Sequence, residues 1–208
     1  MSKMKKQILI HVSGPSGGGK TTMMKIISSK LTKIKKQNTL LVDTDEIDDR
    51  IILQLIQNPK YQKWFDNPND KNKAKIGKIH SKFVREEFKK LLATGKNIVL
   101  FGISLGYIHD ADYKYTIKID PETCYKQSML RTLNDITQNA DKIRKVLKSN
   151  LSPEVIRTYC IHKFHLRHNF ISGVSSLDTW REFYKEEAKA GYTALPFDNI
   201  IDKIIKLL

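Results

Sequence analysis

Four glycines, a lysine and two threonines stand together in Gly14-Pro15-Ser16-Gly17-Gly18-Gly19-Lys20-Thr21-Thr22, a stretch with the spacing G-x-x-x-x-G-K-[ST]. These residue types serve one chemical need. Glycines let the backbone curl until successive N–H groups converge on one anion, and a helix starting directly behind adds its partial positive end. A lysine at the position of Lys20 reaches the β- and γ-phosphates of a nucleotide, and the hydroxyl of Thr21 is placed to ligate Mg²⁺. The stretch therefore implies a nucleoside triphosphate as ligand, with Gly14, Pro15, Ser16, Gly17, Gly18, Gly19, Lys20, Thr21 and Thr22 as its binding residues. A second cluster of chemical groups is Leu41-Val42-Asp43-Thr44-Asp45-Glu46. Two of its carboxylates, Asp43 and Asp45, separated by one residue, either serve a metal and a reacting hydroxyl or cap the next helix.

Elements must hold these groups in place. Five apolar runs read as strands: Gln7–Ser13, Thr39–Asp43, Asn97–Gly102, Lys114–Ile119 and the weaker Tyr192–Leu195. Helical patterns lie between them, so β-α-β units and a parallel sheet covered on both faces are predicted. The glycine-rich stretch sits between the first strand and a helical pattern from Thr22 to Leu31. Asp43 and Asp45 close the second strand, and ligands of open α/β sheets bind at the carboxyl ends of strands. The link from Ile103 to Tyr113 is about ten residues, the lower limit for a crossover. Residues 46–94 and 121–190 exceed what a crossover needs, and we read the 208 residues as one domain with two helical elaborations. Breaks are expected at Asn58-Pro59 and Asn67-Pro68-Asn69-Asp70, a helix start at Ser152-Pro153, a helix end at Gly191, and a terminal helix over Asn199–Leu208.

Composition bounds the function. Hydrophobic residues make up 40% and aromatics 9%, ordinary values for a chain that buries a core, and no apolar run approaches the length of a membrane span. The basic start Met1–Lys6 feeds a short apolar run that leads straight into the glycine-rich stretch, so a cleaved signal is not expected. Cys124 and Cys160 alone, without metal-like spacing, suit a reducing compartment, and we expect a cytoplasmic protein. The net charge is +15, and Lys outnumbers Arg 30 to 7 beside abundant Ile and Asn. That trio is what an AT-rich genome encodes, so nucleic acid stands as a partner that is not favoured.

The stretch Gly14–Thr22 resembles the loop of small P-loop kinases, the nucleoside monophosphate, adenylylsulfate and polynucleotide kinases, and the alternation of strands and helices resembles theirs over most of the chain. The resemblance implies a three-layer α/β/α P-loop NTPase fold with a five-stranded parallel sheet, an acceptor-binding helical insert at about 46–94 and a lid at about 121–190. It implies ATP and Mg²⁺ as cofactors and a small-molecule acceptor as second substrate. The D-x-D of Asp43 and Asp45 is similar to the pattern in adenylylsulfate, polynucleotide and zeta-toxin-type kinases. Carried over, Asp43 is the metal-side carboxylate beside Thr21, and Asp45 orients or deprotonates the acceptor hydroxyl. Lys20 and Arg131, the latter in Asp120-Pro121-Glu122-Thr123-Cys124-Tyr125-Lys126-Gln127-Ser128-Met129-Leu130-Arg131, are the cations on the transferred phosphoryl, with Lys126, Arg144, Arg157 and Arg167 as further lid cations.

The chain departs from the pattern in two places. The paired R-x(3)-R spacing of lid arginines is missing, and the third run ends at Gly102 without an acid. Asp110 and Asp112 are the weaker substitutes for that acid. No N-K-x-D follows, which disfavours a GTPase. The row His162, His165 and His168 reads as packing or surface histidines. The stripe Lys71, Lys75, Lys78, Lys82, Arg85 and Lys89 reads as a solvated face or the border of an acceptor site, with Tyr61, Trp64 and Phe65 able to stack a base or to cap the core. Three readings stay open: a kinase of nucleotides, nucleosides or other small acceptors, a polynucleotide 5′-hydroxyl kinase, and an ATP-binding module without efficient transfer. Oligomeric state is not legible.

Overall fold

The computed structural model describes residues 7–15, 17–66, 69–102, 111–120, 122–124, 126–127, 148 and 177–208. Ser16, Asp110, Arg131, Arg144, Arg157, Arg167, the three histidines and the Ser152 helix start lie outside them. Strand β1 (Leu9–Ser13) leads into α1 (Lys20–Lys30) and α2 (Lys33–Gln37), then β2 (Thr39–Asp43). Helices α3 (Thr44–Gln57), α4 (Pro59–Asp66) and α5 (Asp70–Ala93) follow. The chain returns through β3 (Asn97–Phe101), β4 (Tyr113–Ile117), α6 (Leu177–Lys189), β5 (Thr193–Leu195) and α7 (Phe197–Leu207).

The five strands form one parallel sheet in the order β2-β3-β1-β4-β5. All five residues of β1 and of β3 are buried, as expected of central strands covered on both faces. Side chains alternate across the sheet. Ile10 and Val12 turn to one face with Val99 and Phe101, where Met23 and Ile27 of α1 meet Ile200, Ile201 and Ile204 of α7. On the other face Leu9, Ile98 and Leu100 pack with Phe88, Leu91 and Leu92 at the end of α5. Helices thus cover both faces, the three-layer α/β/α arrangement. In the sheet order β3 and β4 flank β1.

The described residues form two compact units, one with residues 7–45, 88–127 and 177–208, the other with 46–87 and 148. In the second unit Ile51, Leu55, Ile56, Phe65 and Val84 are buried. Its helices start on local caps. Asn58 accepts from the Lys60 N–H at 3.0 Å through Oδ1, with Pro59 at the first helical position, and Asn69 accepts from the Asn72 N–H at 2.9 Å.

Candidate functional site

At the carboxyl end of β1 the backbone turns back on itself. The Gly18 N–H donates to the Pro15 carbonyl at 2.9 Å, and Gly17 and Gly19 have φ of 80° and 87°. These left-handed values, in which a side chain would be strained, explain glycine at both positions. Gly18 has a different reason: a β-carbon there would come within 2.9 Å of the Pro15 carbonyl oxygen. Gly19 is also the N-cap of α1, where among the described residues no side chain caps the helix and no acid stands in the first turn. The helix therefore turns its first N–H groups and its positive end towards the loop, which suits a phosphate. Lys20 Nζ donates to the Gly14 carbonyl at 2.5 Å and the Pro15 carbonyl at 3.1 Å. Thr21 and Thr22 are exposed on the first turn.

Asp43 and Asp45 stand at the same end of the sheet. Asp43 pairs in register with Phe101, which also pairs with Val12. Two strand spacings, about 10 Å, therefore separate Asp43 from the strand that carries the loop. Their local geometry departs from an extended strand end. β2 stops at Asp43, Thr44 opens α3, and the Asp45 N–H donates to Asp43 Oδ1 at 3.0 Å. Asp43 is thus the N-cap of α3, half-buried, while Asp45 is exposed in the first helical turn. Among the described residues no three His, Cys, Asp or Glu are gathered as a metal cage. Mg²⁺ needs none, because it keeps waters and substrate phosphates and takes only one or two carboxylates. Thr21 and Asp43 have the right chemistry for it and stand at the right end of the sheet.

The two substitute acids fare differently. Asp110 lies outside the described residues. Asp112 accepts from the Leu9 N–H at 2.9 Å, at the amino end of β1. That is the full length of the strand away from the loop, so the expectation that Asp112 supports the metal is corrected. Where the third-strand acid would stand, Gly102 faces Thr44. A β-carbon at 102 would sit 1.6 Å from Thr44 Oγ1 and 2.8 Å from its Cβ. The Gly102→Ala protein is expected to lose about 1–3 kcal/mol of stability by overpacking. Adding Thr44→Ala, which removes Oγ1 but leaves the Cβ at 2.8 Å, should recover part of the loss. Urea midpoints of the single and double variants test this pairing, and equal midpoints would show that the two residues do not compete for space.

Two neighbours of the loop were missed by sequence reading. Phe197, first residue of α7, lies where a β-carbon on Gly19 would meet its ring at 3.1 Å, and one on Gly14 would meet Ile117 of β4 at 3.3 Å. After β4, Asp120 Oδ2 accepts from the Thr123 N–H at 2.9 Å and its hydroxyl at 3.1 Å. Those bonds from Thr123 hold the exposed Asp120 carboxyl below its usual range. Within that turn Cys124 is buried, and burial pushes its thiol up to about 11 against the nearby Lys20 ammonium. These neighbours follow from strand order, which the carboxyl-end rule needs before it can point to the residues after β4 and β5.

Behind the loop β1 carries two buried polar residues, His11 and Ser13. Ser13 Oγ donates to Glu187 Oε1 of α6 at 3.0 Å, and His11 Nδ1 shares a short hydrogen bond with the Tyr192 hydroxyl. Tyr184 of α6 accepts from the Ile119 N–H at 3.1 Å and lies 2.9 Å from the Ile117 carbonyl, so α6 also grips the end of β4. Lys126, offered as a lid cation, is exposed.

A glycine loop between the central strand and the first helix of a five-stranded parallel sheet, with an uncapped helix start behind it, defines a P-loop NTPase fold. Within that class the chain resembles the small P-loop kinases. It is 29% identical to the dephospho-CoA kinase of Leptospira interrogans, over 68% of this chain and 73% of that protein. The crystal structure of TT1252 from Thermus thermophilus superposes with a TM-score of 0.41 at 14% identity, covering 79% of this chain and 100% of that one. No family model matches the chain. No helix among the described residues is long and apolar enough to cross a membrane.

Proposed function

We propose that the chain is an ATP- and Mg²⁺-dependent phosphotransferase acting on a nucleotide, a nucleoside or another small hydroxyl- or phosphate-bearing acceptor, in the cytoplasm. One observation carries the reading: the carboxylates of Asp43 and Asp45 stand at the sheet end where the uncapped start of α1, Lys20 and Thr21 gather. The loop N–H groups and Lys20 bind and orient the β- and γ-phosphates, and Thr21 with Asp43 holds Mg²⁺, which supplies charge neutralisation when bound. Asp45 accepts the proton of the acceptor hydroxyl as its oxygen bonds to the γ-phosphorus and the bond to the ADP oxygen breaks. Arg131 closes over the phosphates in the same proposal, residues 46–94 bind the acceptor, and 121–190 act as lid. The likeness to an enzyme named for dephospho-CoA supports a kinase and puts that molecule in the acceptor panel. A second reading, an ATP-binding module, is favoured by Gly102, which gives β3 no carboxylate.

The aspartates separate the two readings. Asp45→Asn is expected to keep ATP affinity within about twofold while transfer falls roughly 10²-fold, the scale of a lost general base. Asp43→Asn should weaken both in a Mg²⁺-dependent way, since it removes a metal-side charge and keeps a capping oxygen. ATP affinity and transfer rate across a Mg²⁺ titration decide it. Identical losses in both variants would make the pair structural, and unchanged transfer in both would place catalysis elsewhere.

A further inference from the structure

The second unit carries a surface that the phosphotransfer reading does not use. On α4, Tyr61 and Trp64 are half-exposed, with ring centroids 5.4 Å apart. Phe65 beside them is buried at 5% exposure, which removes it from the three aromatics considered for stacking. Each exposed ring has an ammonium over it: Lys60 Nζ lies 5.6 Å from the Tyr61 centroid, and Lys75 Nζ of α5 lies 5.3 Å from that of Trp64. From Lys75 the cations continue along α5. At 100° per residue Lys71, Lys75, Lys78, Lys82 and Arg85 fall within an arc of about 80°, and they extend over ~21 Å of helix. Between residues 59 and 85 there are eight lysines and arginines against two aspartates. Of these acids Asp70 lies 3.6 Å from Lys73, off the stripe, and Glu86 just beyond lies 3.9 Å from Lys82. Among the described residues no carboxylate pairs with Lys71, Lys78 or Arg85.

We infer that this face of α4 and α5 binds single-stranded nucleic acid, with Trp64 and Tyr61 stacking bases and the α5 stripe following the phosphates. The chemistry is that of a stacking platform beside an electrostatic track. A lone lysine stripe would be a solvated face, and lone aromatics would be a cap on a core. Here one cation, Lys75, belongs to both. Its ammonium holds the ring face in the free protein and can move to a phosphate when a base takes that face, trading one cation–π contact for a stack and an ion pair. The track is also longer than one nucleotide needs, which favours an oligomer over a mononucleotide. Duplex is disfavoured, because its bases offer no free face to Trp64. This binding goes beyond the phosphotransfer reading and stands without it.

Anisotropy of a labelled oligothymidylate tests the surface, with the full chain at low salt. Affinity should fall with salt with a log–log slope of about −3, for about four phosphates neutralised on a single strand. Lys75→Gln with Lys78→Gln should reduce that slope by about 1.4. Trp64→Ala should weaken binding ~10-fold or more, with Trp64→Phe keeping most of it, since stacking needs a ring. Should Trp64→Ala fail to fold, Trp64 fluorescence in a Trp180→Phe background provides the same readout through quenching by the oligonucleotide. Binding that survives Lys20→Ala keeps this surface separate from the phosphate loop, and binding lost with Lys20 would assign it to the loop. No binding at low salt, equal affinity for thymidine monophosphate, or equal retention on anionic phosphatidylserine vesicles without any effect of Trp64 would each overturn the inference.

Discussion

Lys20→Ala is expected to lower phosphoryl transfer by roughly 10²-fold or more, the scale of one lost electrostatic contact in a transition state, about 2.7–4 kcal/mol. Lys20 brings the side-chain charge of the motif to the β- and γ-phosphates, and backbone N–H groups cannot supply a full positive charge. A stability effect accompanies the variant. The side chain does not hang in open space: its ammonium holds the Gly14 and Pro15 carbonyls at 2.5 and 3.1 Å. Removing it leaves the Gly14 carbonyl without that donor, at about 1–3 kcal/mol, while the Pro15 carbonyl keeps the Gly18 N–H. The fold should nevertheless stand, because the β1 core does not include Lys20. Steady-state transfer and a urea melt on the same preparation separate the two effects. Full activity in a folded Lys20→Ala protein would remove the loop from the mechanism.

A second large effect is expected from acid, through His11. This side chain is buried in β1, and burial lowers its pKa from 6.5 to about 3, with Lys114 and Lys20 adding to the fall and the Gly102 backbone opposing it. The unfolded chain therefore binds a proton that the folded chain refuses between those values. Stability from the neutral ring is fully present above about 6.5 and is lost as pH falls towards about 3, at about 1.4 kcal/mol per pH unit and several kcal/mol in all. Carboxylates also titrate in the lower part of this window, so a variant is needed. His11→Asn keeps an acceptor towards Tyr192 but cannot take the proton. Its urea midpoint should fall less steeply than the parent's between pH 6.5 and 5. Parallel slopes would show that His11 does not couple protonation to folding. As β1 carries the phosphate loop, nucleotide affinity should fade over the same window.

The apolar runs made the strands legible. The run Asn97–Phe101 could only be a strand buried on both faces, and the Thr39–Asp43 bounds follow from the polar residues on either side of it. Gly17 and Gly19 announced a backbone conformation, and the structure has them at positive φ. What stayed hidden depends on contacts distant in sequence. Asp112 looked like a spare metal acid until its bond to the Leu9 N–H placed it at the wrong end of the sheet. Asp43 and Asp45 are a local matter instead: the sequence left open whether they serve a metal and a hydroxyl or cap the next helix, and the Asp45 N–H bond to Asp43 shows that Asp43 does cap α3. Phe197 and Ile117 had no local signature at all, since proximity to the loop comes from strand order.

The most direct test is transfer of a γ-labelled phosphate from ATP, with and without Mg²⁺, to a panel of nucleotides, nucleosides, dephospho-CoA and short oligonucleotides. The expected result is Mg²⁺-dependent label on an acceptor, lost in Lys20→Ala and in Asp45→Asn. Tight ATP binding with label remaining on ATP, or released only as inorganic phosphate across the whole panel, would contradict a phosphotransferase.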